Sequence, residues 1–272
     1  MRGSASIQLR VPTRTIPPAP ASPSLLRFGT LHVYPARERF LFRGEQETTW
    51  GTVDVGRGRA RLWVDPADSR DEEAYYALAI ATALLLSGQQ RALIHGGALV
   101  RPGGGAWLLI GDSHAGKSST IATATAAAWD FLSDDQIIVW PGREGIVAEG
   151  LLRRFHLDSG YTDRVVTGRR DRVTPQALKN GCWRRNAPLE GVLFPVVCAD
   201  EPTRLQRVTQ AEALALIIRQ SPWLIADRSS ATSVLGLFTR IATLPAYRLR
   251  LGLDSYNQPA VLGAVLGALQ PV

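Results

Sequence analysis

"LLIGDSHAGKSST", residues 108–120, joins an apolar run to a polar loop that ends in Gly116, Lys117 and Ser118. With Gly111, these residues match G-x-x-x-x-G-K-[ST], the glycine-rich pattern that cradles phosphate groups. Glycines let successive backbone N–H groups point at one anion, and the helix that follows adds the positive end of its dipole. A chain of this composition would match by chance only about 0.002 times. The stretch therefore predicts a phosphate-binding loop between a strand and a helix.

The polar groups of this loop have distinct predicted roles. The Lys117 ammonium is expected to contact the terminal phosphates of a nucleotide, and the Ser118 hydroxyl is a hard oxygen ligand suited to Mg²⁺. The predicted nucleotide contacts are Gly111, Asp112, Ser113, His114, Ala115, Gly116, Lys117, Ser118 and Ser119.

The scarcity of lysine supports this interpretation. The chain has 31 Lys and Arg residues, of which only Lys117 and Lys179 are lysines. A planar guanidinium is larger than an ammonium and cannot replace it inside a closed backbone cradle. Lys117 therefore marks a position where the chemistry of the site requires an ammonium group.

A pair of carboxylates and a histidine flank the loop in sequence. Asp134 and Asp135 lie between the predicted helix and the next apolar run, and His95 precedes two glycines upstream. Phosphoryl transfer needs a group that orients or deprotonates the acceptor and a carboxylate for the metal. Two adjacent carboxylates at the end of a neighbouring strand could divide these roles, while ordinary turn aspartates are the alternative. His95 is either part of the site or a structural residue.

The bulk composition excludes several classes of protein. Of 272 residues, 45% are hydrophobic, which is enough for a sizeable core. The net charge of +7 is spread along the chain without a long basic run, so no nucleic-acid partner is predicted. The longest apolar run, residues 77–86, is too short to span a membrane, and residues 1–24 lack the apolar segment of a secretory signal. We therefore expect a cytoplasmic protein without a membrane partner.

Strands alternate with helices along most of the chain, which predicts an α/β fold. Residues 1–24 are rich in proline and are expected to form a flexible or extended arm. Residues 25–66 predict a small antiparallel β layer, and residues 67–272 predict the core that contains the loop, all within one domain of residues 25–272. The predicted core strands are 92–94, 98–100, 106–110, 136–140, 191–198 and 247–253, and the later helices are 210–219, 229–242 and 259–269.

Two segments together carry a family resemblance: "LIHGGALVRPGGGAWLLIGDSHAGKSSTIA" and "FLSDDQIIVW". They resemble the catalytic domain of HPr kinase/phosphorylase and, more closely, the short HPr-kinase-like proteins of lasso-peptide (RiPP) biosynthesis clusters. The resemblance covers roughly residues 70–270. It implies a P-loop kinase core related to phosphoenolpyruvate carboxykinase, which uses ATP and Mg²⁺ to phosphorylate a serine hydroxyl. The acceptor would be a peptide or small protein, such as a lasso precursor peptide, and the related kinases are often homo-oligomers.

The same resemblance implies roles for individual residues. Lys117 would bind phosphates, Ser118 and Asp135 would bind Mg²⁺, and the pair of Asp134 and Asp135 would supply the general base. His95 would match the active-site histidine of the family.

The chain also departs from that family. Ser119 stands where HPr kinases usually carry a glutamate, and only Glu144 and Glu149 are available for the metal-binding glutamate downstream. No segment matches the one that grips HPr, so neither HPr as acceptor nor a phosphorylase reaction is predicted.

Two other functions stay open. One is a kinase of a small-molecule hydroxyl, in which an anionic acceptor is gripped by arginines that could equally be solvated loop charges. These arginines are Arg153, Arg154, Arg169, Arg170, Arg172, Arg184 and Arg185. The other is a nucleotide-binding regulatory or adaptor protein without catalysis.

Overall fold

A computed structural model describes residues 6–10, 18, 20–28, 30–36, 39–45, 49–64, 72–151, 155–158, 170–174, 178, 181–225 and 228–269. The chain divides into a first unit, Met1–Ala92 with Pro222–Leu235, and a second unit, Leu93–Ser221 with Gly236–Val272. A large β-sheet lies in each unit, and helices accompany both. The predicted α/β class is therefore confirmed. The single domain predicted for residues 25–272 stays a prediction, because this division does not show whether the units fold independently.

The first unit is built on a six-stranded sheet. Its strands are β1 (Ser6–Arg10), β2 (Leu26–Phe28), β3 (Leu31–Ala36), β4 (Arg39–Gly44), β5 (Thr49–Asp54) and β6 (Arg59–Val64), in the order β1-β6-β5-β4-β3-β2. Side chains alternate across it, so Val33, Phe42 and Leu62 are fully buried on one face. The helix α1 (Glu72–Ser87) packs on β5 and β6. The antiparallel layer predicted for residues 25–66 is present as β2 to β6.

The arm predicted for residues 1–24 contains a strand. Residues 6–10 form β1, which runs parallel to β6 with Ser6 opposite Arg59 and Arg10 opposite Trp63. A sheet edge supplies backbone hydrogen-bond partners to any extended segment, whatever its composition. The proline-rich composition could not reveal this pairing.

The second unit contains an eight-stranded mixed sheet. Its strands are β7 (Ala92–Val100), β8 (Ala106–Ile110), β9 (Asp130–Ser133), β10 (Gln136–Pro141), β11 (Ile146–Gly150), β14 (Asn186–Val197), β15 (Arg204–Arg207) and β16 (Ala246–Leu251). The order is β11-β10-β7-β8-β14-β16-β15, with β9 paired to β7. The central strands β8, β14 and β16 are parallel, and β7 is antiparallel to β8. A separate pair is formed by β12 (Phe155–Asp158) and β13 (Arg170–Val173).

The remaining helices are α2 (Lys117–Ala126), α3 (Gln210–Arg219), α4 (Arg228–Ala242), α5 (Leu253–Asn257) and α6 (Pro259–Gly267), with a short 3-10 helix at Pro222–Ile225. The helices predicted at 210–219, 229–242 and 259–269 lie within two residues of α3, α4 and α6. No helix was predicted at α5, whose first residue was assigned to the last strand. Thr209 caps α3, since its hydroxyl accepts a hydrogen bond from the Glu212 backbone N–H. In the second unit, Leu109 of β8, Ile121 of α2 and Leu266 of α6 belong to one buried cluster. This packing fixes the end of β8 and the start of α2, and therefore the loop between them.

The strand boundary predicted at His95 is wrong. Separate strands were predicted at residues 92–94 and 98–100, whereas β7 runs without a break from Ala92 to Val100. A side chain at Gly97 would place its Cβ 2.9 Å from the Ser133 carbonyl oxygen, so a glycine is needed where β7 meets the turn that follows β9. The two glycines thus serve a close backbone approach inside a strand. They do not end it.

Candidate functional site

The loop of residues 111–116, called the glycine loop below, connects β8 to α2. Gly116 adopts a left-handed backbone conformation with φ of 95°, and His114 does so with φ of 68°. Glycine adopts this conformation without steric cost, and a Cβ at Gly116 would also lie 3.0 Å from the Leu251 side chain. The chain therefore curls back before α2 begins, as a phosphate-binding loop requires.

Lys117 is the first residue of α2 and is buried. Its Nζ donates hydrogen bonds to the carbonyl oxygens of Gly111 at 2.8 Å and Asp112 at 2.9 Å. The ammonium group is therefore held against the opening segment of the glycine loop. Its positive charge lies beside the loop N–H groups and the N-terminal end of α2, which are the groups that would bind an anion.

Ser118, the next residue, is joined to the first carboxylate of the acidic pair. Its Oγ donates a 2.7 Å hydrogen bond to Oδ2 of Asp134, which is only 5% exposed. Asp134 belongs to the turn between β9 and β10. The Ser133 hydroxyl supports that turn, because it donates to the Leu151 carbonyl at 2.8 Å. A hydroxyl–carboxylate pair, in which the carboxylate is buried, thus lies at the first turn of α2.

The second carboxylate of the pair faces His95. Nδ1 of His95 lies 3.5 Å from Oδ1 of Asp135, and the Gly96 N–H donates to the Asp135 carbonyl at 2.9 Å. Asp134 and Asp135 therefore have different partners, because consecutive side chains in a turn diverge. Asp135 was predicted to bind the metal together with Ser118, whereas the carboxylate bonded to Ser118 is that of Asp134.

These groups open into one cavity of about 330 Å³. Its polar lining contains His95, Lys117, Ser118 and the acidic pair. Its apolar lining consists of Val197, Leu251, Leu253, Tyr256 and Leu262. The apolar lining was not predicted, because no local pattern links residues 251–262 to the glycine loop. Val197 and Leu253 of this lining are about half exposed, and such exposure is visible only in the structure.

The structure separates the predicted nucleotide contacts into two groups. Those that line the cavity are Ser113, His114, Gly116, Lys117, Ser118 and Ser119. Gly111, Asp112 and Ala115 line a second cavity on the α3 side of the loop. There, Asp112 accepts hydrogen bonds from Arg219 Nη2 and Gln220 Nε2, both at 2.6 Å. The Gln220 carbonyl in turn accepts from the His95 N–H at 3.2 Å. The C-terminal end of α3 therefore anchors both the glycine loop and the histidine strand.

Replacing Arg219 tests this anchor. We expect Arg219→Ala to weaken ATP binding about threefold to fivefold, because an exposed ion pair contributes up to about 1 kcal/mol and Asp112 holds the loop that contacts Lys117. Calorimetric titration with ATP measures the effect, and Arg207→Ala on exposed β15 is the control. Equal ATP affinity in wild type and Arg219→Ala, at unchanged thermal stability, would contradict the anchoring role.

A second polar network supports the segment that carries the apolar lining of the cavity. Arg250 donates two hydrogen bonds to Glu201, at 2.9 and 2.6 Å, and Arg204 donates a third at 2.9 Å. These bonds lower the pKa of Glu201 to about 2. Nearby, hydrogen bonds from Thr203 lower the pKa of Asp254, the second residue of α5. Both carboxylates help to hold the segment that carries Leu253 and Tyr256.

The Glu201 pKa predicts how stability depends on pH. Because the folded pKa lies below the ordinary value of 4.5, this carboxylate stabilises the fold above pH 4.5, and its contribution is lost as pH falls toward 2. We expect Glu201→Gln to lower the melting temperature at pH 7 and the difference from wild type to shrink between pH 4.5 and 2. Thermal unfolding across this range measures it. A constant difference at every pH would show that the charge of Glu201 is not responsible.

Other predicted residues are placed away from the cavity or outside the described chain. Glu149 pairs with Arg185 at 3.0 Å, and Arg184 pairs with Asp130 at 2.6 Å. Glu144 is exposed, in the turn that follows β10. Arg153, Arg154 and Arg169 lie outside the described residues, as do the side chains of Arg170 and Arg172. In the part of the chain that the structure describes, no group of three or more His, Cys, Asp or Glu side chains could hold a metal ion by itself.

No helix in the described ranges is both long and apolar enough to cross a bilayer. Neither the family models nor the curated proteins compared with this chain give a match. Among solved structures, one similar to this chain is that of the Hpr(Ser) kinase/phosphatase from Coxiella burnetii. The two are 10% identical with a TM-score of 0.36, over 64% of this chain and 93% of that one. At so low a TM-score, no property of that enzyme is transferred to this chain.

Proposed function

We propose that this protein is an ATP-dependent phosphotransferase that uses Mg²⁺ and transfers the γ-phosphate to a serine hydroxyl of a peptide or small protein. One observation carries the proposal: Lys117, the Ser118–Asp134 pair and the His95–Asp135 pair all face a single cavity beside the glycine loop. A loop alone supports nucleotide binding. The two carboxylates with different partners support a transfer reaction, because metal binding and proton removal need separate groups.

The residues present fit Mg²⁺ bound together with a nucleotide. Ser118 Oγ and the Asp134 carboxylate are hard oxygen ligands held 2.7 Å apart. Mg²⁺ in such sites commonly takes one or two protein ligands, with phosphate oxygens and water completing its shell, so a group of three protein ligands is not required. Bound there, the ion would neutralise charge on the phosphoryl group being transferred.

The chemistry of the cavity lining supports an orientation for the nucleotide. The triphosphate would lie over the glycine loop and Lys117, and the nucleoside would lie against the apolar residues of α5. Leu253 is 50% exposed there, although leucine gains free energy when it is covered. A flat base on Leu253 and Tyr256 would cover it.

A substitution at Leu253 tests this orientation. We expect Leu253→Asp to raise the KM for ATP about tenfold with little change in kcat, because it removes about 1.4 kcal/mol of apolar contact that is equal in ground and transition states. Steady-state kinetics measures both constants. Leu235→Asp, at another exposed leucine, is the matched control. A fall in kcat with an unchanged KM would place the nucleoside elsewhere.

The polar lining of the cavity supports the chemical step. Asp135 would take the proton from the acceptor serine while a bond forms between the serine oxygen and the γ-phosphorus. The bond from that phosphorus to the oxygen of ADP breaks, and ADP leaves. His95, 3.5 Å from Asp135, would hold the carboxylate in position and stabilise its charge.

We propose a peptide acceptor rather than a small anionic molecule. The small-molecule hypothesis depends on seven arginines, and the two whose side chains the structure describes, Arg184 and Arg185, pair with Asp130 and Glu149. Within the peptide class, a lasso or other RiPP precursor stays the specific proposal that the family resemblance suggests. A nucleotide-binding adaptor would differ from either kind of kinase, because it would bind ATP without transferring phosphate to any acceptor.

The test is phosphate transfer from γ-labelled ATP, with Mg²⁺, to a panel of peptides that each contain one serine, with alanine counterparts as controls. The proposal expects label on serine peptides, none on alanine counterparts, and loss of transfer in Asp135→Asn. ATP binding without transfer to any acceptor would favour the adaptor. Transfer to a small-molecule hydroxyl alone would favour the second enzyme class.

A further inference from the structure

The first unit has an outward sheet face on which two neighbouring tryptophans lie between arginines. Its inner face is buried, whereas outward positions are exposed or half-buried. The pairing of strands places Arg43, Trp50, Trp63 and Arg10 in one outward row. The adjacent row contains Tyr34 on β3 and Arg61 on β6, with Leu41 and Thr52 between them. We call the following residues the arginine–aromatic face: Arg10, Tyr34, Arg43, Trp50, Arg61 and Trp63.

A stacked tryptophan pair forms the centre of this face. Trp50 and Trp63 are direct cross-strand neighbours, with ring centroids 3.8 Å apart and ring planes within 1° of parallel. The strand register places Arg43 beside Trp50 and Arg10 beside Trp63. One face of each indole ring is therefore covered by the other indole, and an arginine is the cross-strand neighbour on the opposite side of each tryptophan. The pair therefore offers mainly its ring edges to a binding partner.

The face is cationic. Its outward arginines include Arg10, Arg43, Arg59 and Arg61, and Asp54, the last residue of β5, lies opposite Arg59. Asp54 pairs with Arg57 at 3.6 Å and accepts a hydrogen bond from the Arg57 N–H at 2.9 Å. At the β2–β3 edge of the sheet, Glu45 pairs with Arg27 at 3.0 Å and with His32 at 2.9 Å. Guanidinium groups bind carboxylates in a two-bond fork and keep their charge at every physiological pH. The partner that complements this surface carries negative charge.

We infer that the arginine–aromatic face docks an acidic peptide segment, whose carboxylates pair with the arginines and whose apolar side chains lie against the Trp50–Trp63 pair. The ring geometry favours a peptide over a nucleic acid, because single-stranded nucleic acids need aromatic faces on which bases can stack. Here the two indoles already occupy one ring face each. The interaction requires no nucleotide and is independent of the phosphotransfer proposed above.

Fluorescence anisotropy with a labelled peptide of alternating Glu and Leu residues tests this inference. The face variant combines Arg10→Glu with Arg61→Glu. The control variant combines Arg143→Glu with Arg207→Glu, two exposed arginines of the second unit that change the net charge equally. We expect the face variant to weaken binding at least about tenfold and the control variant to leave it within about twofold, with binding that weakens as salt is raised.

Several results of further control experiments would overturn the inference. Equal weakening in both variants would show attraction to net charge rather than to this face. Displacement of the peptide by oligothymidylate at lower concentration, with the same dependence on Arg10 and Arg61, would make the face a nucleic-acid site. Failure of wild type to bind the acidic peptide, or equal binding of a peptide with Lys in place of Glu, would also refute it. Near-ultraviolet circular dichroism, which reports the stacked tryptophans, must be unchanged in both variants.

Discussion

Lys117→Ala is expected to weaken ATP binding about 100-fold or more. The ammonium donates to Gly111 and Asp112 at the mouth of the glycine loop and supplies a buried positive charge where the phosphates would bind. A charge-assisted hydrogen bond contributes about 1.5–3 kcal/mol, and Lys117 would make more than one such bond with a triphosphate. Calorimetric titration with ATP in the presence of Mg²⁺ measures the loss, and thermal unfolding checks that the fold persists.

Two further variants separate charge from shape. Lys117→Arg retains the positive charge but brings a wider, planar group, so we expect it to lose most of the ATP affinity as well. Lys179→Ala, at the other lysine of the chain, is the control and should bind ATP as wild type does. Full ATP affinity in Lys117→Ala would mean that the glycine loop is not the nucleotide site, and the proposed function would fail with it.

Asp135→Asn is expected to lower kcat about 1,000-fold while the KM for ATP stays within about twofold. Asparagine has nearly the same shape as aspartate but cannot accept the serine proton. The affected step is the chemical one, because Asp135 faces His95 rather than the Ser118 hydroxyl. Steady-state phosphorylation of a serine peptide identified in the acceptor screen measures kcat and KM separately.

Asp134→Asn is the comparison that tests the division of roles between the two carboxylates. Because Asp134 is bonded to Ser118, we expect this variant to need more Mg²⁺ for half-maximal activity and to recover partly as Mg²⁺ is raised. Asp135→Asn should not recover at any Mg²⁺ concentration. If the two variants responded alike, the carboxylates would not have separate roles.

The local features of the site were predictable because they depend on neighbouring residues. The strand before the glycine loop and the helix that begins at Lys117 follow from the apolar run and the glycine pattern, and both form as predicted. The range of α3 was also predicted, since Thr209 supplies its cap and apolar residues recur at helical spacing. Short-range hydrogen bonds and side-chain periodicity determine such elements, and both can be read from a sequence.

The partners of the acidic pair were not predictable in this way. That Asp134 meets Ser118 and Asp135 meets His95 depends on how the turn after β9 lies against β7, where Gly97 permits close approach. The bonds from Arg219 and Gln220 to Asp112 join residues more than 100 positions apart. No periodicity relates such distant segments.

By itself, the sequence determined the α/β class, the glycine loop and the residue types suited to phosphate, metal and proton, because these depend on local geometry and on the chemistry of single side chains. Tertiary structure alone decided which carboxylate meets which partner, and that Leu253 and Tyr256 complete the cavity. It also decided that Trp50 and Trp63 stack on an arginine-lined face. The reason is physical: strand pairing and core packing join segments that are distant in the chain, and their register is set by the whole sheet rather than by any one stretch.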